Sequence, residues 1–450
     1  MFILKKMNKT LHVLMLAYYF PPDSSSGAFR PLFFSKYLSK KGIKVTVLTA
    51  RETDFLPFQV LDKMMLSQIP SNVRVVRTRV LRPREFLINL KQKFYKTAHQ
   101  KRETINSQKK EKESFFQNLK DMFIELFAIP DAQMGWIPIV LREGIRIIKK
   151  NKVDVIYVTG SPWSSMIAGV LLRSQTGVPL VLDFRDPWVS NPGFMLRSKL
   201  SRLIEKKMER KIISNADAII ANTSELRDDF LKRYPFLTIN QVYTINNGFE
   251  DHVDFKAPKN SAFTMVHTGD IYFSRNPLPL LQAVYNLIFT KKIPENRLRL
   301  FLIGDLETAI DDVRVLLNTD VLKNVVQIFS RLPYEKSLKY QIDSDALILI
   351  QPDLPLQVPR KLYDYMAVRK PILAITNSFG ATASIVNQYG IGEVVTNATD
   401  SIQEKVLKLY NEWETFGTKL YPKSLTHDFI NSRQAEKLVS ILDSVLISKG

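Results

Sequence analysis

Cysteine is absent from this 450-residue chain, which excludes disulfides and thiolate metal sites and leaves a cytoplasmic location open. Histidine is scarce: only His12, His99, His252, His267 and His427 occur, no two at metal-ligand spacing, so no metal is expected. No apolar run approaches the roughly 20 residues that cross a bilayer. The start (Lys5, Lys6 and Lys9 before Leu11–Phe20) imitates a secretory leader. Pro21-Pro22 and a Ser/Gly turn follow it without a small-x-small cleavage site, so Leu11–Ala17 reads as a buried first strand. The G-x-G-x-x-G fingerprint is missing after that strand, which argues against a simple dinucleotide-binding enzyme.

Acidic residues are outnumbered, 44 against 64 Lys and Arg, for a net charge of +20. Such an excess suits an anionic partner: nucleic acid, an anionic membrane surface or phosphate-bearing substrates. A generally solvated basic surface is the plainer alternative. Part of the charge is concentrated, since Arg82 to Lys120 holds eleven Lys/Arg against four Asp/Glu and no glycine. No recognisable nucleic-acid module accompanies it, so nucleic acid is not expected as a partner. Phe115–Phe127 then places Phe115, Phe116, Leu119, Met122, Phe123, Leu126 and Phe127 at helical spacing. Such a helix packs on its own domain or docks on a membrane or partner.

Around this stretch, short apolar runs alternate with helical patterns, the grammar of parallel βα units. In the first half, strands are expected at Leu11–Tyr18, Val45–Thr49, Val153–Val158, Leu180–Phe184 and Ala218–Ala221. Helices are expected at Ala28–Lys41, Trp163–Gln175 and Lys199–Ser214. In the second half the strands are Phe263–His267, Leu298–Ile303, Val325–Phe329, Ala346–Ile350 and Ile372–Ile375. Helices at Pro279–Phe289, Ala309–Leu317, Tyr334–Ile342, Lys361–Val368 and Ala381–Tyr389 lie between or after them. The prediction is an α/β chain of two Rossmann-like, doubly wound domains. They cover 9–252, with a basic helical insertion over about 82–127, and 259–425. A C-terminal helix in 426–450 (Phe429–Leu446) packs back toward the first domain.

In open α/β sheets ligands meet the carboxyl ends of strands, where loops and helix N-termini converge. After the first strand, the small residues ending at Gly27 permit close approach to a phosphate, with Arg30 adding charge; a plain turn is the alternative. Thr268-Gly269 ends a strand of the second domain and can offer backbone N–H donors to a diphosphate, with Arg275 and Lys361 as cations. Asp364, three residues after Lys361 and on the same helix face, can accept from ribose hydroxyls or simply pair with that lysine. In the first domain Asp183, Arg185 and Asp186 share one strand end. Asp186 can orient an acceptor hydroxyl, and Arg185 can bind an anion but not act as a base. An Asp–Arg brace fixing Trp188 is the alternative there. Trp136, Trp163 and Trp188 can stack on sugar or lie in the core.

Several segments carry a resemblance. Tyr19-Phe20-Pro21-Pro22 with Gly27-Ala28-Phe29-Arg30-Pro31, Asp183-Phe184-Arg185-Asp186-Pro187-Trp188, Ala216–Thr223 and Asn246-Asn247-Gly248-Phe249 run through the first half. Val266-His267-Thr268-Gly269, Leu302-Ile303-Gly304 and Val358–Ala367, followed by Lys370-Pro371-Ile372-Leu373, run through the second. In order and spacing they resemble the GT-B glycosyltransferases of family 4, which include bacterial enzymes assembling exopolysaccharide, O-antigen and related cell-surface polysaccharides. The resemblance implies two domains facing across a cleft that holds a nucleotide-diphosphate sugar, and metal-independent transfer with retention of configuration. The acceptor would be a glycan or lipid-linked glycan on the first domain, with the protein cytoplasmic or peripheral on the inner membrane face.

By the same resemblance, Lys361 and Arg275 serve the donor diphosphate and stand with Arg185 and Asp186 as the catalytic set. Gly27, Thr268, Gly269 and Asp364 complete the donor site, with Asp364 on the ribose where the family usually has Glu. Arg30, Asp183 and Trp188 are assigned to the acceptor. The family often has an acid eight residues before the Asp364 position; here that residue is Leu356, with Asp353 nearby, and His is common where Arg185 stands. Two rivals share the architecture: a nucleotide-sugar epimerase, and a non-catalytic nucleotide-sugar-binding protein.

Overall fold

The structure is a computed structural model that describes residues 10–55, 59–82, 129–251, 256–271, 275–305 and 311–448. The basic insertion, save Arg82, and the Phe115–Phe127 pattern lie outside these residues. The chain divides into two compact units: Met1–Ala221 with Arg227–Ile245 and Ala435–Gly450, and Asn222–Leu226 with Asn246–Gln434.

The first unit is built on a seven-stranded sheet of β1 (His12–Leu16), β2 (Lys44–Ala50), β3 (Arg74–Thr78), β4 (Val155–Gly160), β5 (Leu180–Phe184), β6 (Ala218–Ala221) and β7 (Val242–Thr244). Its order is β3-β2-β1-β4-β5-β6-β7, every pairing parallel. The middle strands are buried along their whole length because helices cover both faces, which is why they read as unbroken apolar runs. The helices are α1 (Ser26–Lys40), α2 (Ile137–Asn151), α3 (Trp163–Thr176), α4 (Lys199–Ser214) and α5 (Ser224–Arg233). Helix α3 ends at Gly177, whose left-handed backbone (φ +70°) lets its N–H reach back to Arg173 O at 2.8 Å.

The second unit repeats the plan with six parallel strands: β8 (Phe263–Thr268), β9 (Leu298–Ile303), β10 (Val326–Phe329), β11 (Ala346–Gln351), β12 (Ile372–Thr376) and β13 (Gly392–Val395). Their order is β10-β9-β8-β11-β12-β13. Around them run α6 (Leu278–Phe289), α7 (Asp311–Leu317), α8 (Tyr334–Asp343), α9 (Arg360–Val368), α10 (Ala381–Tyr389) and α11 (Thr399–Phe416). The last helix, α12 (Asn431–Ile447), sets Ala435, Leu438, Ile441, Leu442 and Val445 into the same apolar core as Val13, Met15, Val45 and Ile220 of the first unit.

The expected two doubly wound α/β domains are present, and the named strands fall within a few residues of their expected bounds. The edge strands β3, β7 and β13 had no counterpart in the reading. They are short and half-buried, so they lack the apolar run that marks an inner strand.

One buried polar cluster ties three elements of the first unit to the residue just after β7. Arg30 of α1 donates through Nε and Nη2 to both oxygens of Asp183 at the end of β5, each at 2.8 Å. Its Nη2 also reaches Ile245 O at 2.8 Å, and Tyr157 of β4 donates to Asp183 at 2.5 Å. Burial opposes the guanidinium charge, but the facing carboxylate holds Arg30 more firmly protonated than usual; burial and then Asp183 push the Tyr157 hydroxyl well up. Removing one member strands the others out of water. Asp183→Ala should therefore lower the unfolding free energy of the first unit by about 3–5 kcal/mol. Arg30→Met combined with Asp183→Leu should recover most of that loss, as read by urea denaturation.

Candidate functional site

Both sheets reverse their strand order at one point, between β1 and β4 in the first unit and between β8 and β11 in the second. The crevice outside the carboxyl ends at such a reversal is where open sheets bind ligands. A cavity of about 520 Å³ beside Phe263, Ala346, Trp413 and Phe416 lies instead at the amino ends of β8 and β11 and is set aside on that ground.

In the second unit β8 runs through His267 into Thr268 and Gly269. Gly269 has φ +112°, and a Cβ on it would lie 2.4 Å from Lys361 Nζ, so this position requires glycine. Lys361 comes from the first turn of α9, whose N-cap, Pro359, supplies no side-chain cap. Its stem is half-exposed, but Nζ is buried and has no hydrogen-bond partner among the described residues. Burial and, next, the neighbouring Arg275 bring its pKa down to about 7, against the pull of Asp270 and Asp364. Those carboxylates are engaged elsewhere. Asp270 pairs with Arg331 and accepts from Asp305 N at 3.1 Å, and Asp364 pairs with Arg360 at 3.3 Å. Burial works to raise the Asp270 carboxyl, yet Arg331 outweighs it and holds the group below its usual range.

His267 is buried between Ile348 O and Gly269 O, 3.0 Å from each, and so positions the Gly269 peptide. Burial, then Lys361 beside it, holds its pKa well below the ordinary histidine value. Tyr365 lies one helical turn beyond Lys361 and locks β8 from the other side. Its hydroxyl accepts from Thr268 N at 2.9 Å and donates to Ile348 O at 3.1 Å.

Several expectations change in this frame. The Thr268 and Gly269 amides are already used, by Tyr365 Oη and by Ile303 O at 2.7 Å, because the strand ladder continues to its last residue. The donors that remain near Lys361 are side-chain cations and the start of α9. Lys361 and Asp364 do not pair with each other, since Arg360, one turn back from Asp364, takes the carboxylate. Arg275 is half-buried, with Nη1 3.4 Å from Asp270 O. Asp353 is exposed, and Leu356 offers its carbonyl to Thr223 Oγ1 at 2.8 Å. Asp270, Arg331, Arg360 and Tyr365 were not singled out from sequence; Asp270 and Arg331 lie just past strand ends, which was the available signal.

In the first unit Arg30 and Asp183 form the buried cluster already described and have no surface to present to an acceptor. Trp188 is buried too, stacked on Trp163 (centroids 5.0 Å apart, planes 3° from parallel) with Nε1 donating to Glu205 at 2.9 Å. Trp136 is fully buried and donates to Thr78 Oγ1 at 2.8 Å. Gly27 is small for a reason other than phosphate approach: a Cβ there would lie 2.7 Å from Arg185 Nη1 and 2.9 Å from the Tyr19 ring. Arg185 itself donates through Nε to Gly160 O at 3.1 Å, also reaches Ser161 O, and lies 5.9 Å over the Tyr19 ring. Burial raises the Tyr19 hydroxyl to about 12 despite this arginine. Asp186, next along, is half-buried at the same strand end. Asp131, unnoticed in the sequence, caps α3 by accepting from Ser164 N at 2.9 Å and Ser164 Oγ at 2.7 Å.

Comparison with known proteins agrees with this geometry. Residues 111–252 match the sequence family Glycosyltransferase Family 4. Over 103 residues the chain is 32% identical to alpha-maltose-1-phosphate synthase of Mycolicibacterium smegmatis, a match spanning 21% of this chain and 24% of that relative's length. Among solved structures, a glycosyltransferase from Rickettsia africae aligns over 97% of this chain and 99% of its own with TM-score 0.60 and 13% identity. A putative UDP-N-acetylglucosamine 2-epimerase from Listeria monocytogenes aligns over 97% and 96% with TM-score 0.56 and 11% identity. At such identities the structures speak for the fold alone. The chain thus has the GT-B fold and carries, over residues 111–252, a Glycosyltransferase Family 4 region.

Proposed function

We propose that the protein is a glycosyltransferase that moves a sugar from a nucleoside-diphosphate donor to a glycan or lipid-linked acceptor. The observation that carries this reading is the buried Lys361 ammonium, without a hydrogen-bond partner among the described residues and placed beside Arg275 at the strand-order reversal of the second unit. A desolvated cation without a carboxylate of its own is completed by an anion arriving from outside. A diphosphate fits, because Arg275, Lys361 and the uncapped start of α9 would all stabilise the charge that grows as the sugar departs. No metal is needed in this scheme. Asp364 would accept from the ribose. In the first unit Asp186 would orient the acceptor hydroxyl, with Arg185 as the neighbouring cation, while Arg30, Asp183 and Trp188 serve as the rigid frame beneath them. Retention of configuration, an acceptor in cell-surface polysaccharide synthesis, and a place at the cytoplasmic face of a membrane complete the reading. Among the described residues no helix is long and apolar enough to cross a membrane. The Listeria epimerase has the same fold, so a second reading is kept: product appearing from donor alone, without acceptor, would favour it.

A panel of UDP-, GDP-, ADP- and dTDP-sugars, followed by thermal stabilisation, tests the donor site, since a ligand of the folded state must raise its stability. One nucleotide class should stabilise the protein. Lys361→Met should weaken that binding by about 10–100-fold while leaving the ligand-free protein as stable as before or more so, because it removes an uncompensated buried charge. No response to any nucleotide from a well-folded sample would sink the proposal and favour a non-catalytic protein.

Gly269→Ala should abolish nucleotide stabilisation at a cost of about 1–3 kcal/mol in folding, since the new methyl takes the place of the Lys361 ammonium on a backbone (φ +112°) strained for alanine. Equal loss of folding and binding would argue against so local an effect.

The affinity should also depend on pH. In the free protein Lys361 loses its proton above about pH 7, whereas a bound diphosphate keeps it protonated. Binding is then strongest below pH 7 and weakens about tenfold per unit as pH rises, until the raised pKa of the complex is reached. Calorimetric titration across this window should show the slope in the wild type and not in Lys361→Met.

A further inference from the structure

Helix α4 and the turn before it break two ordinary surface rules. The turn Pro192–Leu196 presents Met195 and Leu196 to solvent, 64% and 90% exposed, and α4 continues with Leu200 and Leu203, 44% and 52% exposed. The helix also opens with Lys199 and has no acidic residue in its first turn, against the preference of its dipole. Neither feature gains anything within the fold.

The charges of α4 are sorted by face. At 100° per residue, Lys199, Leu200, Leu203, Lys206, Lys207, Arg210 and Lys211 fall on one arc, which is the half-exposed to exposed side. Both glutamates of the helix face inward and are buried. Glu205 takes Trp188 Nε1 at 2.9 Å and the Arg197 guanidinium, while Glu209 takes Arg233 at 2.5 Å and Tyr234 Oη at 2.5 Å. The outer arc therefore carries cations and leucines with no carboxylate of its own helix. Arg210 also covers Phe236, 5.2 Å from its ring centroid, so an exposed aromatic continues the patch.

We infer that this surface, the Met195-Leu196 turn with the outer arc of α4, docks on an anionic lipid bilayer. The apolar tip enters the headgroup–acyl boundary and the lysines, on long flexible stems, reach anionic headgroups around it. Charge complementarity selects this occupant. A protein partner matched to this arc would have to supply several carboxylates around an apolar socket, whereas an anionic bilayer offers both layers at once. The same turn follows directly from the β5 end that bears Arg185 and Asp186, which would bring that edge of the first unit to the membrane surface. The inference does not depend on the donor-site reading.

The test is co-sedimentation of the full chain with phosphatidylcholine vesicles and with vesicles that also contain phosphatidylglycerol. Binding is expected only to the anionic vesicles, and it should fall as salt is raised. Leu196→Glu and the pair Lys206→Gln with Lys207→Gln should each weaken it by about tenfold or more, with unchanged melting and unchanged nucleotide stabilisation. Three results would overturn the inference. One is a wild type that ignores anionic vesicles at low salt. Another is binding that survives both variants and disappears when Lys109, Lys110 and Lys112 are neutralised, which would move the anchor to the basic insertion. The third is Leu196→Glu converting a dimer to a monomer in a protein that does not bind vesicles, which would make the patch a contact between two copies.

Discussion

An ammonium group held out of water without a carboxylate is among the least favourable arrangements a fold can contain. The second unit is organised around tolerating one. Gly269 supplies the space for Lys361 Nζ, and His267 and Tyr365 fix the peptide and the strand that form its wall. Asp270 and Asp364 stand near enough to temper the charge, but each is tied to an arginine of its own, so neither can collapse onto the lysine. The unfavourable term is thereby left standing in the fold, and under the proposed function an incoming diphosphate would relieve it. The same logic explains the depressed pKa: the protein already holds this lysine near the point where it can give up its proton, and a ligand decides.

The first unit shows the opposite treatment of charge. Arg30, Asp183 and Tyr157 are as deeply buried as Lys361 Nζ, but they satisfy one another and a backbone carbonyl besides. Nothing is left over for a ligand. That difference, saturated against unsaturated, separates framework from site more reliably than position at a strand end, which both clusters share.

It also explains what could be read from sequence. Parallel strands buried on both faces announce themselves as apolar runs, so the inner strands and the doubly wound class were legible. Of the four edge strands only β10 was legible, as the run Val325–Phe329; β3, β7 and β13, with one side in solvent, show no such run. Helices α2, α5 and α11 had no counterpart among the expected elements, although α2 sets Val140, Gly144 and Ile147, and α11 Ile402, Val406 and Leu409, at helical spacing. Among the candidate residues, Gly269 was picked out by its strand end and Lys361 as a cation at a helix start; their approach to one another is seen only in the structure. Which acid pairs with which base did not: Arg360 and Lys361 stand four and three residues before Asp364, and both spacings share a helix face. Burial of the Lys361 head decides between them, and burial is a property of the tertiary structure. For the same reason Arg30, Asp183 and Trp188, which look exposed-polar or ligand-like in a motif, turn out to be interior.

Helix α12 has a consequence for how the chain comes into being. The core of the first unit includes Ala435, Leu438, Ile441, Leu442 and Val445, so its early strands must wait for a helix made about 400 residues later. While the second unit is being synthesised, α1 residues Leu32, Phe34 and Leu38 can already pack with Val13, Met15 and Val45, but the part of this core that α12 fills stays open. During translation the order of completion is therefore inverted: the second unit, continuous apart from five residues, can close its sheet while the first is still open. Loss of α12 should therefore be felt in the first unit, far from it in sequence, because the core around Val13, Met15 and Ile220 would lose Leu438, Leu442 and Val445.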